Sequence, residues 1–106
     1  MQQMRATELK AYLDNPTVAA VLVDVREPWE FQKCHIAGSR LMPLGQLPAT
    51  YQELDPQRPT VVICHHGMRS QQAGHYLMQM GFKQVINLVG GIDAWAREVD
   101  TTTPTY

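Results

Sequence analysis

The chain has 106 residues, 44% of them hydrophobic, and a formal net charge of −1 at pH 7. This length suits one domain, predicted over residues 1–100, whose core needs neither disulfides nor a structural metal. A near-neutral chain without a run of basic residues is not typical of a nucleic-acid-binding protein, so we expect no nucleic-acid partner. Residues 101–106 are predicted to form a frayed tail.

The sequence carries neither a membrane span nor a secretory signal pattern. Its longest apolar stretch, Val18–Val23, is far shorter than the roughly 20 residues that a membrane helix needs. The N-terminal residues Met1–Arg5 are not followed by an apolar region of signal type. We therefore expect a cytoplasmic protein without a membrane partner, in which Cys34 and Cys64 are reduced rather than paired.

The first half of the chain alternates between helical and strand patterns. Thr7 is predicted to cap a short helix that ends at Asn15–Pro16. The apolar run Ala19–Val25 predicts a central strand with Asp24 at its carboxyl end. Pro28 suits the first turn of a second helix, where its missing N–H has no partner to lose. A turn over 35–39, a strand or extended segment over 40–44 and a helix over 47–54 are predicted next.

The second half of the chain continues this alternation. The β-branched run Thr60–Ile63 predicts a buried parallel strand, and a helix from Ser70 ends near Gly81. A short strand over 84–88, a turn at 90–91 and a closing helix over 92–99 follow. The inward side chains of these two helices are predicted to be Ala73, Leu77, Met80 and Trp95. Strands alternating with helices predict an α/β fold whose parallel sheet is covered on both faces.

Cys64 stands between the central strand and the helix that follows it. The loop Cys64–Ser70 therefore lies over a helix N-terminus, where unpaired N–H groups and the helix dipole stabilise an anion. Arg69 adds a positive charge within the same loop. A cysteine thiolate or persulfide is such an anion, so the pattern predicts that Cys64 is a nucleophile.

Four segments match a known pattern in both order and spacing: Val23–Phe31, His35–Ser39, Cys64–Ser70 and Val89–Trp95. Together they resemble a single-domain rhodanese, over about Thr7 to Val99. The resemblance implies the rhodanese α/β fold and a sulfurtransferase cycle that needs no cofactor. In that cycle Cys64 takes a sulfane sulfur from a small donor such as thiosulfate or a persulfide. It holds the sulfur as a persulfide and passes it to cyanide or a thiol.

The length of the loop separates this interpretation from a phosphatase or arsenate reductase on the same fold. Four residues lie between Cys64 and Arg69, as in rhodanese-type loops, whereas the related phosphatases have five. A smaller ring of N–H donors suits a terminal sulfur, and a larger ring suits a phosphoryl or arsenate group. The predicted substrate-binding residues are therefore His65, His66, Gly67, Met68, Arg69 and Ser70.

The roles of the individual loop residues are open at this stage. Gly67 suits the positive φ that a ring of amides requires, although it also suits an ordinary loop. Arg69 either attracts an anionic donor or braces the loop through a carboxylate, for which Asp24 or Glu27 is the expected partner. Met68 either contacts the substrate or caps the pocket.

The two adjacent histidines also allow more than one interpretation. His65 and His66 are expected on the rim of the loop, where they either add positive charge and polarise an acceptor or only shape the entrance. Ligands within one tight loop lack ordinary zinc spacing, and a coordinated Cys64 could not attack, so we expect no metal.

The remaining residues of the resemblance are expected to form the scaffold. A buried carboxylate and arginine near the strand ends would tie the strand to neighbouring turns. Cys34 has no charged or glycine-rich surroundings, so we expect an inert thiol there rather than a second sulfur relay. The scaffold residues are Asp24, Arg26, Glu27 and His35.

A binding module is the alternative to an independent enzyme. In that case Cys64 carries sulfur between a protein donor, such as a desulfurase, and a protein acceptor. Because a single rhodanese domain builds its pocket alone, we expect a loop that is open to solvent and admits large acceptors.

Overall fold

In the part of the chain that the structure describes, five parallel strands form one sheet in the order β1-β5-β4-β2-β3. The computed structural model describes residues 1–15, 17 and 19–106, so the expected helix end at Pro16 lies outside the described residues. The strands are β1 (Gln2–Met4), β2 (Val21–Asp24), β3 (Arg40–Leu41), β4 (Thr60–Ile63) and β5 (Val85–Leu88).

Helices cover both faces of the sheet, as predicted. They are α1 (Ala6–Leu13), α2 (Pro28–Lys33), α3 (Leu47–Thr50), α4 (Met68–Gln79) and α5 (Gly91–Glu98). One core cluster contains Leu9 of α1 and Trp95 of α5, and the other contains Leu77 of α4 and Leu47 of α3. The α/β fold with a parallel central sheet is therefore confirmed. No helix in the described part of the chain is long and apolar enough to cross a membrane.

The central strand β4 directs Cys64 toward α4. Side chains alternate along a strand, so Val61 and Ile63 belong to one core cluster, and Val62 and Cys64 belong to the other. Cys34 lies in the cluster on the opposite face, and both cysteines are free thiols. The expectation that they do not pair is confirmed.

The edges of the sheet differ most from the predictions. Strand β1 was not predicted, because Gln2 and Gln3 are exposed and polar, yet it pairs along β5. The first helix is capped at Arg5 rather than Thr7, and the Arg5 N–H donates to Glu8 Oε1 at 2.9 Å. The strands expected over 19–25 and 40–44 are shorter, because only Val21–Asp24 and Arg40–Leu41 pair with neighbouring strands.

Two helices on the Cys64 face also depart from expectation. The segment 47–54 is the short helix α3 followed by a 3-10 turn rather than one continuous helix. Helix α4 begins at Met68, two residues before Ser70, because Gly67 turns the chain with a φ of 103°. Met80 is 39% exposed, so its predicted inward position is wrong.

Gly91 allows α5 to approach the loop that follows β4. Its φ is +61°, and a Cβ built there would overlap the carbonyl oxygens of Cys64 and His65. The Ile92 N–H donates to Cys64 O at 2.8 Å, and the Asp93 N–H donates to His65 O at 3.1 Å. The start of α5 therefore holds the start of the loop.

We expect Gly91→Ala to lower the free energy of unfolding by about 2–4 kcal/mol, because alanine adds both a positive-φ penalty and a backbone overlap. Gly45→Ala is the matched control, since a Cβ there meets nothing within 4 Å. Urea unfolding followed by circular dichroism measures both variants. Equal stability of the two variants would contradict this account of the α5 contact.

Candidate active site

The Cys64 sulfur lies within a small set of polar contacts at the carboxyl end of β4. The Gly67 N–H donates to Cys64 Sγ at 2.9 Å, and Ser70 Oγ lies 3.2 Å from Sγ. Cys64 is only 1% exposed. Burial of the sulfur contradicts the expectation of an open pocket, whereas His66 and Met68 of the same loop are exposed.

Arg69 braces the loop through a carboxylate, but the carboxylate is Glu30 rather than Asp24 or Glu27. Its guanidinium donates to Glu30 Oε1 at 2.6 Å and to Oε2 at 2.8 Å. These hydrogen bonds lower the pKa of Glu30 to about 2, and they raise the pKa of Arg69. The carboxylate is therefore ionised at neutral pH, and it balances the charge of Arg69.

The two carboxylates that the sequence suggested as partners of Arg69 are positioned elsewhere in the structure. Asp24 is fully buried and binds Arg26, whose Nη2 donates to Asp24 Oδ2 at 2.7 Å. Glu27 is exposed at the N-cap of α2, and its N–H donates to Glu30 Oε1 at 3.0 Å. Glu30 lies three residues further along, where the helix directs its side chain toward the loop.

Asp24 and Arg26 form the buried scaffold pair that the sequence predicted. Arg26 Nη2 also donates to the carbonyl oxygen of Cys34 at 2.6 Å. The pair thereby ties the end of β2 to the segment after α2. Cys34 itself lies in the core, in the cluster on the opposite face of the sheet from Cys64. His35 stacks on Phe31 at 3.9 Å between ring centroids, which is a structural position away from Cys64.

Tyr106 reaches back onto the loop, so the prediction of a frayed tail is wrong for this residue. Its ring stacks on His65 with centroids 3.9 Å apart, and its hydroxyl accepts a hydrogen bond from Arg26 Nη1 at 2.8 Å. The same hydroxyl donates to Glu30 Oε2 at 2.8 Å. Burial raises the pKa of Tyr106 to about 12, so the phenol keeps the proton that it donates.

Sequence reasoning missed both Glu30 and Tyr106 as parts of the site. Glu30 falls within the predicted second helix, but helix periodicity alone does not indicate which distant loop a side chain faces. Tyr106 follows a run of threonines and a proline that is typical of a tail. A large aromatic residue within a polar tail was the one sequence signal that this segment packs against the domain.

The two histidines occupy different positions. His65 packs between Tyr106 and His66, and burial lowers its pKa, so it is neutral at neutral pH and adds no charge. The side chain of His66 is 63% exposed on the rim. His66 therefore lies exposed beside the loop, and His65 is half-buried between two aromatic rings. Met68 is 81% exposed beside it.

Three side chains beside the loop are able to ligate a metal ion. Ligand atoms of His65, His66 and Asp93 lie within 4.8 Å of one another. The expectation of no metal rested on loop residues alone, whereas the fold adds Asp93 from α5. Asp93 also forms an ion pair with Arg97 at 2.9 Å, so a cation would compete with that arginine.

A cleft of about 510 Å³ lies beside the loop, between α4 and the strands β1 and β5. Its lining includes His66, Gly67 and Met68 of the loop but not Cys64. The cleft therefore borders the loop without opening onto Cys64.

The fold and the loop define an α/β domain whose central parallel strand delivers a cysteine to the N-terminus of a helix. The chain belongs to the rhodanese-like domain family, whose model matches residues 5–98. The expected resemblance is thus confirmed.

Named relatives include both single-domain and larger proteins. The chain is 45% identical over 76 residues to the thiosulfate sulfurtransferase GlpE of Pseudomonas fluorescens, covering 72% of this chain and 70% of that protein. It is 36% identical over 112 residues to the chloroplastic rhodanese-like/PpiC domain-containing protein 12 of Arabidopsis thaliana. That alignment covers all of this chain but only 38% of the Arabidopsis protein.

Solved structures share the whole architecture. A rhodanese-like domain protein from Staphylococcus aureus superimposes with a TM-score of 0.84 at 27% identity, over 93% of this chain and 95% of that one. A rhodanese-related protein from Thermoplasma volcanium gives a TM-score of 0.83 at 32% identity, over 93% and 94% of the two chains.

The Glu30–Arg69 pair predicts a specific loss of stability in acid. Because the folded pKa of Glu30 is about 2, below its ordinary value of 4.5, the unfolded chain binds the proton first as the pH falls. The stabilisation is complete above about pH 4.5 and is lost toward pH 2. Wild type should lose on the order of 2 kcal/mol through this group, whereas Glu30→Gln should not show that titration.

Urea unfolding at a series of pH values from neutrality to acid measures this difference. Glu53→Gln is the control, because Glu53 forms an exposed pair with Arg40 and should change the pH dependence little. Parallel stability profiles for wild type and Glu30→Gln would show that the pair does not stabilise the fold.

Tyr106 should stabilise the domain through two separable contacts. Tyr106→Phe keeps the ring on His65 but removes the hydroxyl bonds, and we expect a loss of about 1–2 kcal/mol. Tyr106→Ala also removes the stacked ring and should cost more. Thermal unfolding measures both, with exposed Thr105→Ala as the control. If Tyr106→Ala were as stable as wild type, Tyr106 would not stabilise the domain, which would contradict this account of its contacts.

Proposed function

We propose that the protein is a sulfurtransferase that moves a sulfane sulfur from a donor such as thiosulfate to cyanide or a thiol. A persulfide on Cys64 is the proposed intermediate. One observation carries this proposal: Cys64 Sγ lies at the N-terminus of α4 within a loop of four residues between cysteine and arginine, with the Gly67 N–H directed at it. Membership of the family and the similarity to GlpE support the same activity.

The cycle consists of two nucleophilic displacements at sulfur. The Cys64 thiolate attacks the sulfane sulfur of the donor, a sulfur–sulfur bond forms, and sulfite leaves with its electron pair when thiosulfate is the donor. Cyanide or a thiolate then attacks the outer sulfur of the persulfide, and Cys64 leaves as a thiolate. Charge balances in both steps, and the cycle requires no redox cofactor.

The loop supports these steps by stabilising negative charge on sulfur. The first N–H groups of α4 have no partner within the helix, and the positive end of its dipole lies under the loop. We assign substrate-binding roles to the loop as a whole, which consists of His65, His66, Gly67, Met68, Arg69 and Ser70.

Within the loop, Arg69 acts mainly as a brace. Both of its terminal nitrogens bind Glu30, whose carboxylate is almost completely buried. The positive charge is therefore balanced before a donor arrives, which weakens attraction of a dianion such as thiosulfate. A persulfide donor carries less charge and is consequently favoured by this arrangement.

A sulfur-carrier module for a partner protein is the second candidate. The burial of Cys64 favours it, because a partner that moves the loop would expose the sulfur only when it binds. Met68 offers that partner an exposed apolar side chain beside the loop. Fast transfer between proteins, together with slow turnover of small thiols, distinguishes this function from an independent enzyme.

Intact-mass spectrometry after incubation with thiosulfate tests the intermediate. Wild type and Cys34→Ser should each gain one sulfur atom, and cyanide should remove it. Cys64→Ser should gain none. Cys34 is the matched control because it is also a buried free thiol, but it lies on the opposite face of the sheet.

The donor used in this experiment separates the two candidates. An adduct formed with thiosulfate or with a small persulfide supports the independent enzyme. An adduct formed only with a persulfidated donor protein supports the carrier module. A sulfur adduct that persists in Cys64→Ser would overturn both, because each requires the same nucleophile.

A further inference from the structure

Three side chains from two parts of the chain converge beside the start of the active-site loop. His65 and His66 follow β4, and Asp93 lies in the first turn of α5. One ligand atom of each residue lies within 4.8 Å of those of the other two, and His66 Nε2 is 3.8 Å from Asp93 Oδ2. Two imidazoles and one carboxylate form a ligand set that suits zinc and similar divalent ions.

The backbone holds these three residues at this spacing. The Ile92 N–H donates to Cys64 O at 2.8 Å, and the Asp93 N–H donates to His65 O at 3.1 Å. Gly91 permits the approach, because a Cβ there would overlap both carbonyl oxygens. The loop and α5 are therefore already joined, and rotation of the side chains is the movement still needed to bring the ligand atoms around one ion.

His65 provides a second, independent observation. Within the described ranges 1–15, 17 and 19–106, its Nε2 is the one buried side-chain nitrogen or oxygen without a hydrogen-bond partner. A buried polar atom without a partner is costly, and a bound ion or water is a usual explanation for one. Because His66 beside it is exposed, rotation of the two imidazoles can present this nitrogen to a cation.

The charges nearby allow a cation to bind at Asp93. Arg97 competes for the carboxylate, since its Nη2 lies 2.9 Å from Asp93 Oδ2, but its side chain is 61% exposed. Exposed ion pairs of this kind contribute little free energy, so a directly ligated divalent ion can replace the arginine. The positive charge of Arg69 is balanced by Glu30, which reduces its repulsion of an ion beside the loop.

We propose that His65, His66 and Asp93 form a binding site for a divalent transition-metal ion such as Zn²⁺, with water at the remaining position. The proposal goes beyond the proposed function, whose cycle requires no metal. Cys64 lies outside the ligand set, so the ion does not occupy the nucleophile. The ion adds a side-chain connection between the loop and α5 to their two backbone hydrogen bonds, and it thereby stabilises the conformation in which Cys64 is buried.

Isothermal titration calorimetry with Zn²⁺ at neutral pH tests the site. The full chain carries Cys34→Ser and Cys64→Ser, so that no thiol takes the ion. We expect this protein to bind one Zn²⁺ per chain and to unfold at a higher temperature when the ion is present, because the folded state binds it preferentially.

Substitution of the ligands in the same background should weaken this binding. His65→Phe keeps a ring against Tyr106 but removes both nitrogens. His65→Phe, His66→Ala and Asp93→Asn should each raise the Kd for Zn²⁺ by about tenfold or more, because loss of an outer-shell partner alone costs about that much. His75→Ala is the matched control, since His75 is an exposed histidine outside the cluster, and it should leave the Kd unchanged.

Arg97 provides a test of opposite sign. Arg97→Gln removes the cation that competes for Asp93, so it should lower the Kd for Zn²⁺ by about two- to fivefold. An unchanged or higher Kd in this variant would exclude Asp93 as a ligand and overturn the proposal. Absence of Zn²⁺ binding, or the same Kd after each of the three ligand substitutions, would also overturn it.

Folding and sulfur transfer are controlled separately. Circular dichroism without metal shows whether each variant folds, and His66→Gln or Asp93→Ser replaces a variant that does not, with the same expected result. Because the background has no Cys64 thiol, the titration does not depend on sulfur transfer. Failure to bind Zn²⁺ leaves the proposed function standing, and absence of a Cys64 persulfide in wild type leaves the titration interpretable.

Discussion

The carboxylate of Glu30 is the interaction on which the arrangement of the active-site loop depends. It receives both terminal nitrogens of Arg69 and the hydroxyl of Tyr106, and it also accepts the N–H of Glu27. These contacts join α4, the C-terminal segment and α2 at one buried group. A charge buried this completely is costly unless it is paired, so the loop and the tail have one favourable arrangement around it.

In the proposed sulfur-transfer cycle, the side chains around the loop are paired or neutral before a substrate binds. Arg69 is neutralised by Glu30, and His65 is neutral because burial lowers its pKa. Stabilisation of a sulfur anion therefore depends mainly on backbone N–H groups and the α4 dipole, which act within one turn. Beside the sulfur, the Ser70 hydroxyl donates to Asn87 Oδ1.

Local sequence features predicted the elements with strong hydrophobic patterns and missed those defined by pairing. The run Thr60–Ile63 is a strand with the predicted bounds, because it is apolar on both faces. Gln2–Met4 has no such pattern and becomes a strand only by pairing with β5. The segment 47–54 has a helical pattern, but it divides into shorter turns as it packs beside the sheet.

The sequence by itself determined the α/β fold, the position of Cys64 between a strand and a helix, and the loop length, because these depend on periodicity and on residues close together in the chain. Only the tertiary structure decided that Glu30 pairs with Arg69, that Tyr106 covers His65 and that Asn87 reaches Ser70. These partners are 39, 41 and 17 residues apart in the sequence. Contacts at such separation depend on how the strands and helices pack, which no local pattern encodes.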